Sequence, residues 1–290
     1  MSGLDPDFKE KYGPWALVCG ASDGIGEAFA QQLAAAGVNV VLMARREALL
    51  QEVARRLEAD HNVETRLLVA DLTSPELMED VRSATQDLEI GLLIYVTGAA
   101  TDHIDFVDAG LDFWIQQLRL NCDGPVLLGH HFGAKMRSRR RGGMMFLTSL
   151  ACQSGASRLS IYCGTKAFDQ MFAESLWHEM SPYGVDVLSL MVGATHTPTA
   201  DETLGLDFTA LFPDPDMVAT AEQVARDGLE NIGNGPVYVA SDLMRDALQH
   251  LSPQARAEAV ESGSLMTAQL DRFDAYEPVW DAEKKAKVKR

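Results

Sequence analysis

Five consecutive apolar residues, Trp15 to Cys19, run directly into Gly20-Ala21-Ser22-Asp23-Gly24-Ile25-Gly26. Glu27–Ala36 follows, rich in Ala, Gln and Leu. The pattern reads as a buried strand, a tight turn and a helix. The glycines have separate reasons. The turn must be sharp, the backbone must come close to whatever occupies it, and the helix must pack on the strand with no Cβ between them. Such a turn presents the free N–H groups and the positive end of the helix dipole to an anion, which suits a phosphate. Gly20, Ser22, Asp23, Gly24, Ile25 and Gly26 are therefore the candidate cradle for the pyrophosphate of a dinucleotide. Asp23 runs against this electrostatically.

The same alternation continues along the chain. Val38–Met43, Arg66–Ala70, Leu92–Val96, Met144–Thr148, Val185–Met191 and Val237–Ala240 read as further strands, and helical patterns such as Glu47–Ala59 fill most of the gaps. The strands are continuous Val/Ile/Leu runs, not alternating ones, so both faces of the sheet are covered. Strands alternating with helices make the sheet parallel. The expected fold class is α/β: a doubly wound parallel sheet of about seven strands in a single domain over residues 1–290. Asp71-Leu72-Thr73-Ser74-Pro75 is expected to cap the next helix, with Pro75 as its first residue. Residues 195–217, with several Thr, Asp and Pro, read as a loop insertion against the substrate. Residues 242–290 read as a charged helical extension.

Composition narrows the function classes. The chain carries 25 Lys+Arg against 42 Asp+Glu, a formal charge of −17, so it lacks the basic footprint of a nucleic-acid binder. Its basic runs, Arg137 to Arg141 and the tail from Lys284, read as a solvated helix end and a terminus. Cys19, Cys122, Cys152 and Cys163 are scattered, with neither disulfide nor zinc spacing. His130 and His131 are adjacent and point apart on a helix, so no metal site is expected. The longest nearly apolar stretch, Ile90 to Ala100, has 11 residues, where a membrane span needs about 20. No signal peptide is legible in MSGLDPDFKEKYG, and a cytoplasmic location is expected.

The end of the second strand distinguishes between dinucleotides. A carboxylate there would hold a ribose 2′-hydroxyl. This chain has Arg45 and Arg46 instead, and two guanidiniums suit a 2′-phosphate. NADP(H) is the expected cofactor. Farther along, Ser149 ends the fifth strand, Tyr162 comes thirteen residues later and Lys166 four after that. Residues i and i+4 share a helix face. An ammonium beside a phenol favours the phenolate and makes the tyrosine usable as a general acid or base near neutral pH.

On these residues the chain resembles the short-chain dehydrogenases/reductases, over roughly Gly13–Pro198 and more weakly to about Ala240. GASDGIG matches the family's glycine motif, and Ser149, Tyr162 and Lys166 match its catalytic residues. Asn121, in RLNCDG, matches its active-site asparagine. The resemblance implies a Rossmann fold in which Asp71 and Leu72 contact the adenine and Gly98 allows close approach to the cofactor. It also implies that Thr197, with Thr195 beside it, holds the nicotinamide end. Tyr162 would exchange a proton with the substrate oxygen and also contact the cofactor, Ser149 would position that oxygen, and Lys166 would bind the nicotinamide ribose. Asn121 would hold a water linking Lys166 to solvent. Two departures stand out. Tyr95-Val96-Thr97-Gly98 replaces the usual Asn-Asn-Ala-Gly, which puts the local bracing of the sheet in question, and Val192 replaces a proline.

The opening segment and VVLMARR look similar to branches that act on steroids or on 3-oxoacyl thioesters of long fatty acids. Leu150, Ala151, Ala156 and Leu159 on one side, and Leu204, Leu206, Phe208, Leu211, Phe212 and Met217 on the other, would form a greasy pocket. The expected substrate is a bulky apolar ketone or alcohol such as a hydroxysteroid. The alternatives are a 3-oxoacyl thioester reductase and, from another class, a non-catalytic NADP(H) sensor. Family members associate through two long helices. Here those would be about Leu111–Met136 and Ser160–Met180, which implies a homodimer or homotetramer.

Overall fold

The computed structural model describes Leu4 and residues 7–98, 104–198 and 218–240. The strands are β1 (Trp15–Cys19), β2 (Asn39–Ala44), β3 (Thr65–Val69), β4 (Ile90–Tyr95), β5 (Gly142–Ser149), β6 (Val185–Val192), β7 (Thr195–His196), β8 (Ala219–Thr220) and β9 (Val237–Val239). The helices are α1 (Phe8–Tyr12), α2 (Gly24–Ala35), α3 (Glu47–His61), α4 (Leu77–Thr85), α5 (Leu111–Leu118), α6 (Gly124–Arg139), α7 (Ser160–Met180) and α8 (Ala221–Asn231).

Seven strands form one sheet in the order β3-β2-β1-β4-β5-β6-β9, and every neighbouring pair is parallel. The chain therefore winds outward one way from β1 to β3, then returns past β1 and winds the other way from β4. The reversal lies between β1 and β4, and beyond their C-terminal ends a crevice opens.

Two apolar cores explain why the strands are apolar throughout. Ala16 and Val18 of β1 pack with Phe29, Leu33, Leu57, Val224 and Leu229 on one face. Leu17 and Cys19 pack with Leu77, Leu128, Phe132 and Ala173 on the other. Successive residues of a strand point to opposite faces, and here both faces are dry. The doubly wound parallel fold and its strands match the expectation, with ends displaced by one or two residues.

One expectation is corrected. Asp71–Pro75 does not cap a helix, because α4 starts at Leu77. Asp71 Oδ1 instead accepts from the N–H and the hydroxyl of Thr73, both at 2.8 Å. That carboxylate stabilises a turn, and Pro75 sits in the turn before the helix. Most of the expected substrate loop (residues 199–217) and the whole extension 242–290 lie outside the described residues. At the loop's ends, Thr195–His196 pairs with Ala219–Thr220. Thr220 then caps α8 in a capping box with Gln223. Among the described residues no helix is long and apolar enough to cross a membrane.

Candidate active site

The glycine turn sits at the crevice, and its geometry accounts for each glycine. Gly20 has φ +90° and Gly24 φ +54°, both in the left-handed region. A Cβ on Gly26 would overlap the Gly20 carbonyl oxygen, so the first turn of α2 lies backbone to backbone on the end of β1. Gly20 also faces the loop after β4: a Cβ there would lie 3.0 Å from Thr97 Cγ2. One on Gly24 would lie 3.2 Å from Thr197. The segment after β6 thus closes over the turn, with Thr195 largely buried beneath it and donating to the Gly193 carbonyl at 3.2 Å.

Asp23 faces a positive partner. Arg46 donates to Asp23 at 2.6 Å and to Ser22 Oγ at 2.8 Å. The second guanidinium, on Arg45, acts on Asp71. Burial pushes the Asp71 carboxyl up, but the Thr73 hydrogen bonds and the Arg45 charge outweigh it and hold the carboxyl below its usual range. Ser22, Arg45, Arg46 and Asp71 thus gather at the ends of β1, β2 and β3, with Leu72 buried beside them.

Across the crevice, Ser149 ends β5. Its oxygen accepts from the Ala151 N–H at 3.2 Å and caps a short 3-10 turn, Leu150–Gln153. Tyr162 is half-buried on α7. One helical turn on, Lys166 is buried, 3% exposed. Its ammonium donates to the Leu147 carbonyl at 2.8 Å, to Asp169 at 3.3 Å and to the Thr97 carbonyl at 3.4 Å.

Asn121 reaches this cluster from a one-turn π-helix, Arg119–Asp123, inserted between α5 and α6. The Gly124 N–H bonds back to Arg119 instead of Leu120. The Leu120 carbonyl, orphaned by that shift, accepts from the Tyr95 hydroxyl at 2.5 Å. A Cβ on Gly124 would overlap that hydroxyl. Tyr95 thereby supplies bracing where the family pattern has asparagine. Buried Asn121 donates to Thr165 at 3.0 Å, and Thr165 donates to the Tyr162 carbonyl at 2.9 Å. Gly98, at φ +100°, leaves room for Asn121: a Cβ would overlap Asn121 Oδ1 and come 3.4 Å from Lys166 Nζ.

Close contacts bring Asn121, Gly98 and Lys166 together, Gly20 against Thr97 and Gly24 against Thr197, and Arg46 to Ser22 and Asp23; Ser149 and Tyr162 stand on the neighbouring ends of β5 and α7. Three residues escaped the sequence reading. Asp169 was legible only as a carboxylate seven residues after Tyr162, on the face of Lys166. Thr165 carried no signal beyond its place in the Tyr-Lys interval. Tyr95 read as a departure. No group of acidic, histidine or cysteine side chains able to hold a metal occurs among the described residues.

A nucleotide fits this crevice on the structure's own terms. A Cβ on Gly20, Gly24, Gly26 or Gly98 would press on the protein's own atoms, so glycine there keeps the backbone of the turn and of the loop after β4 drawn in close. Thr97 Oγ1 and Asn121 Oδ1 are buried with no hydrogen-bond partner among the described residues. Known proteins agree. The family model of short chain dehydrogenases matches residues 14–204. The chain is 31% identical over 258 residues to a 7beta-hydroxysteroid dehydrogenase of Clostridium sardiniense, covering 88% of this chain and 95% of that one. It is also 31% identical over 191 residues to an inactive hydroxysteroid dehydrogenase-like protein 1 of Rattus norvegicus, covering 65% of this chain but 58% of the relative. A solved short-chain dehydrogenase from Sphingobium yanoikuyae, in complex with NADPH, superposes with a TM-score of 0.71 at 26% identity, covering 93% of this chain and 99% of that one. Sheet order, glycine turn and the Ser149, Tyr162 and Lys166 pattern lead to one conclusion: the chain belongs to the short-chain dehydrogenase family of oxidoreductases.

Proposed function

We propose that this protein interconverts a secondary alcohol and a ketone with NADP(H), on a bulky apolar substrate such as a hydroxysteroid. The observation that carries the reading is the buried Lys166, one helical turn from Tyr162, whose ammonium reaches the carbonyl of Leu147 on the strand that Ser149 ends and the carbonyl of Thr97, the residue that faces the glycine turn. The names of the Clostridium and Sphingobium relatives support it.

When bound, NADP(H) supplies or accepts the hydride. The chain does the rest. Ser149 hydrogen-bonds the substrate oxygen. In reduction Tyr162 gives that oxygen a proton from its hydroxyl, and in oxidation the phenolate takes one back. Lys166 holds the ribose hydroxyls and favours the phenolate. Asn121 Oδ1, without a partner among the described residues, would anchor a water that returns protons to Lys166. Gly20, Ser22, Asp23, Gly24, Ile25 and Gly26 hold the pyrophosphate, Asp71, Leu72 and Gly98 line the adenine and ribose side, and Thr195 and Thr197 face the nicotinamide. Arg46, already hydrogen-bonded to Ser22, and Arg45 receive the 2′-phosphate. The carbonyl is held in place while the charge on its oxygen is met by fixed donors.

One experiment tests the whole reading. Steroid ketones and 3-oxoacyl thioesters are offered to the wild type and to Arg45→Ala and Arg46→Ala, each with NADPH and NADH. Reduction of a steroid ketone with NADPH is expected. Each arginine variant should lose about 10–100-fold in NADPH affinity, the worth of a charged hydrogen bond, with little change for NADH. Equal losses for both cofactors would reject the 2′-phosphate assignment. Thioester turnover alone would move the substrate to acyl chains. Bound NADPH with no turnover on any substrate would mark a sensor.

The outer surface of α5, α6 and α7 exposes Leu111, Leu118, Val126, Leu127, Phe168 and Met171. A patch of this kind marks an interaction site, and we assign it to a second copy, giving a homodimer or homotetramer. Light scattering at micromolar concentration should give a multiple of the 31.7 kDa chain mass; the chain mass itself would reject the assignment. All four cysteines are free, which fits the reducing conditions of the cytoplasm, where we place the protein.

A further inference from the structure

Lys166 has three protons, and three protein acceptors already stand around its ammonium: the carbonyls of Leu147 and Thr97, and the carboxylate of Asp169. A ribose hydroxyl must displace one of them. Leu147, at 2.8 Å, is the firmest contact, and Asp169, at 3.3 Å, is the only charged one. Tyr162, Lys166 and Asp169 occupy positions i, i+4 and i+7 of α7, one stripe of a helix. The Asp169 side chain is 2% exposed, and its second oxygen has no partner among the described residues. A buried carboxylate satisfied at one oxygen is costly, and this one stands against the lysine of the site.

We propose that Asp169 is a positioning residue for the reaction: it draws the Lys166 ammonium back from the nucleotide and offsets its charge, so that it sets the pH range in which Tyr162 exchanges a proton with substrate. The proposal rests on the roles given to Tyr162 and Lys166 above.

The surroundings concentrate the effect on Lys166. Burial pushes the Asp169 carboxyl up to about 6, against the opposing pull of Lys166. The other titratable groups that feel its charge are Tyr95 from β4 and Cys122 from the π turn. Burial raises both, Tyr95 well above its usual value and Cys122 to about 11, and the Asp169 charge adds to each. Both stay protonated through neutrality. Above about pH 6 the Asp169 carboxylate is charged and shields Lys166, which works against the phenolate.

The test compares the full chain with Asp169→Asn and Asp169→Glu. Alcohol oxidation with NADP is followed against pH in each variant. In Asp169→Asn the profile should move to lower pH, since the carboxylate that offsets the Lys166 charge is gone, with the KM for alcohol unchanged. Asp169→Glu keeps the charge and should restore the wild-type profile. A wild-type profile in Asp169→Asn overturns the proposal, and so does a lowered melting temperature with no movement of the profile. A second arm needs neither turnover nor a variant. The carboxyl carbon of Asp169 in the wild type is followed by NMR against pH, with and without NADPH. If the ribose draws Lys166 away, the titration of Asp169 moves to higher pH in the complex; no movement overturns the proposal. Should no substrate turn over while that shift is present, the proposed function fails and takes the pH role of Asp169 with it, while the hold of Asp169 on Lys166 stands.

Discussion

Tyr162→Phe should lower turnover by about a thousandfold or more, toward the upper part of the range that general acid–base groups supply, while NADPH still binds. The substitution removes one oxygen and leaves the ring that packs on α7. The cradle proposed for the nucleotide stands on other elements, at the ends of β1 and β2 and in the glycine turn, so its hold should not depend on that oxygen. Steady-state rates with the best ketone, and NADPH titration by fluorescence, separate the two effects. If the variant keeps a tenth of wild-type activity, the proton route assigned to Tyr162 is wrong. If it loses NADPH binding together with turnover, the loss is one of cofactor positioning instead.

Gly26→Ala should be strongly damaging for the change of a single methyl. The added carbon meets the Gly20 carbonyl oxygen, a backbone atom that no rotamer change can move aside. Helix α2 must then lift from β1, which opens the turn and uncovers Phe29 and Leu33, both buried under it. Overpacking of this kind costs about 1–3 kcal/mol, and a clash between two backbones belongs at the top of that range. Thermal unfolding should show a lower melting temperature, and NADPH affinity should fall by more than tenfold. Gly155→Ala is the control: a Cβ there meets nothing within 4 Å, so it should stay within about 0.5 kcal/mol of wild type. Equal behaviour of the two variants would remove the close-packing account of the glycine turn.

What was legible in the sequence follows from how locally each feature is encoded. The strands could be located because both faces of the sheet are dry, so every residue from Trp15 to Cys19 or from Ile90 to Tyr95 had to be apolar. Gly20, Gly24 and Gly26 were legible because glycine is the only solution to that approach. Tyr162 and Lys166 were legible because four residues apart means one helical face. Asp71–Pro75 misled because an Asp before a Pro resembles a helix start. Thr73 then captured the carboxylate at short range, and the helix began two residues beyond Pro75. Arg46 meeting Asp23 depends on β1 and β2 lying side by side, which no local pattern states. Tyr95 looked like a lost asparagine because its partner, the Leu120 carbonyl, is 25 residues away. Asp169 passed as one more acidic residue on an acidic protein, since only the depth of α7 in the fold distinguishes a buried carboxylate from a solvated one.

The extra residue in the Arg119–Asp123 turn also sets the phase of the rod that contains it. One residue of an α-helix is about 100° of rotation, and a π bulge is a single inserted residue. Downstream of the bulge, Leu128, Phe132 and Met136 face the sheet, while Val126 and Leu127 face outward. Upstream, Trp114 turns inward and Leu111 outward. Taking one residue out of that turn would rotate one setting against the other by about 100°. Deleting any single residue from 119 to 123 would therefore act as a crank. Either Asn121 swings away from Lys166, or the whole of α6 rolls its core side chains toward solvent. The Asn121 cluster and the outer apolar surface of α6 share one shaft, and neither can be re-registered without turning the other.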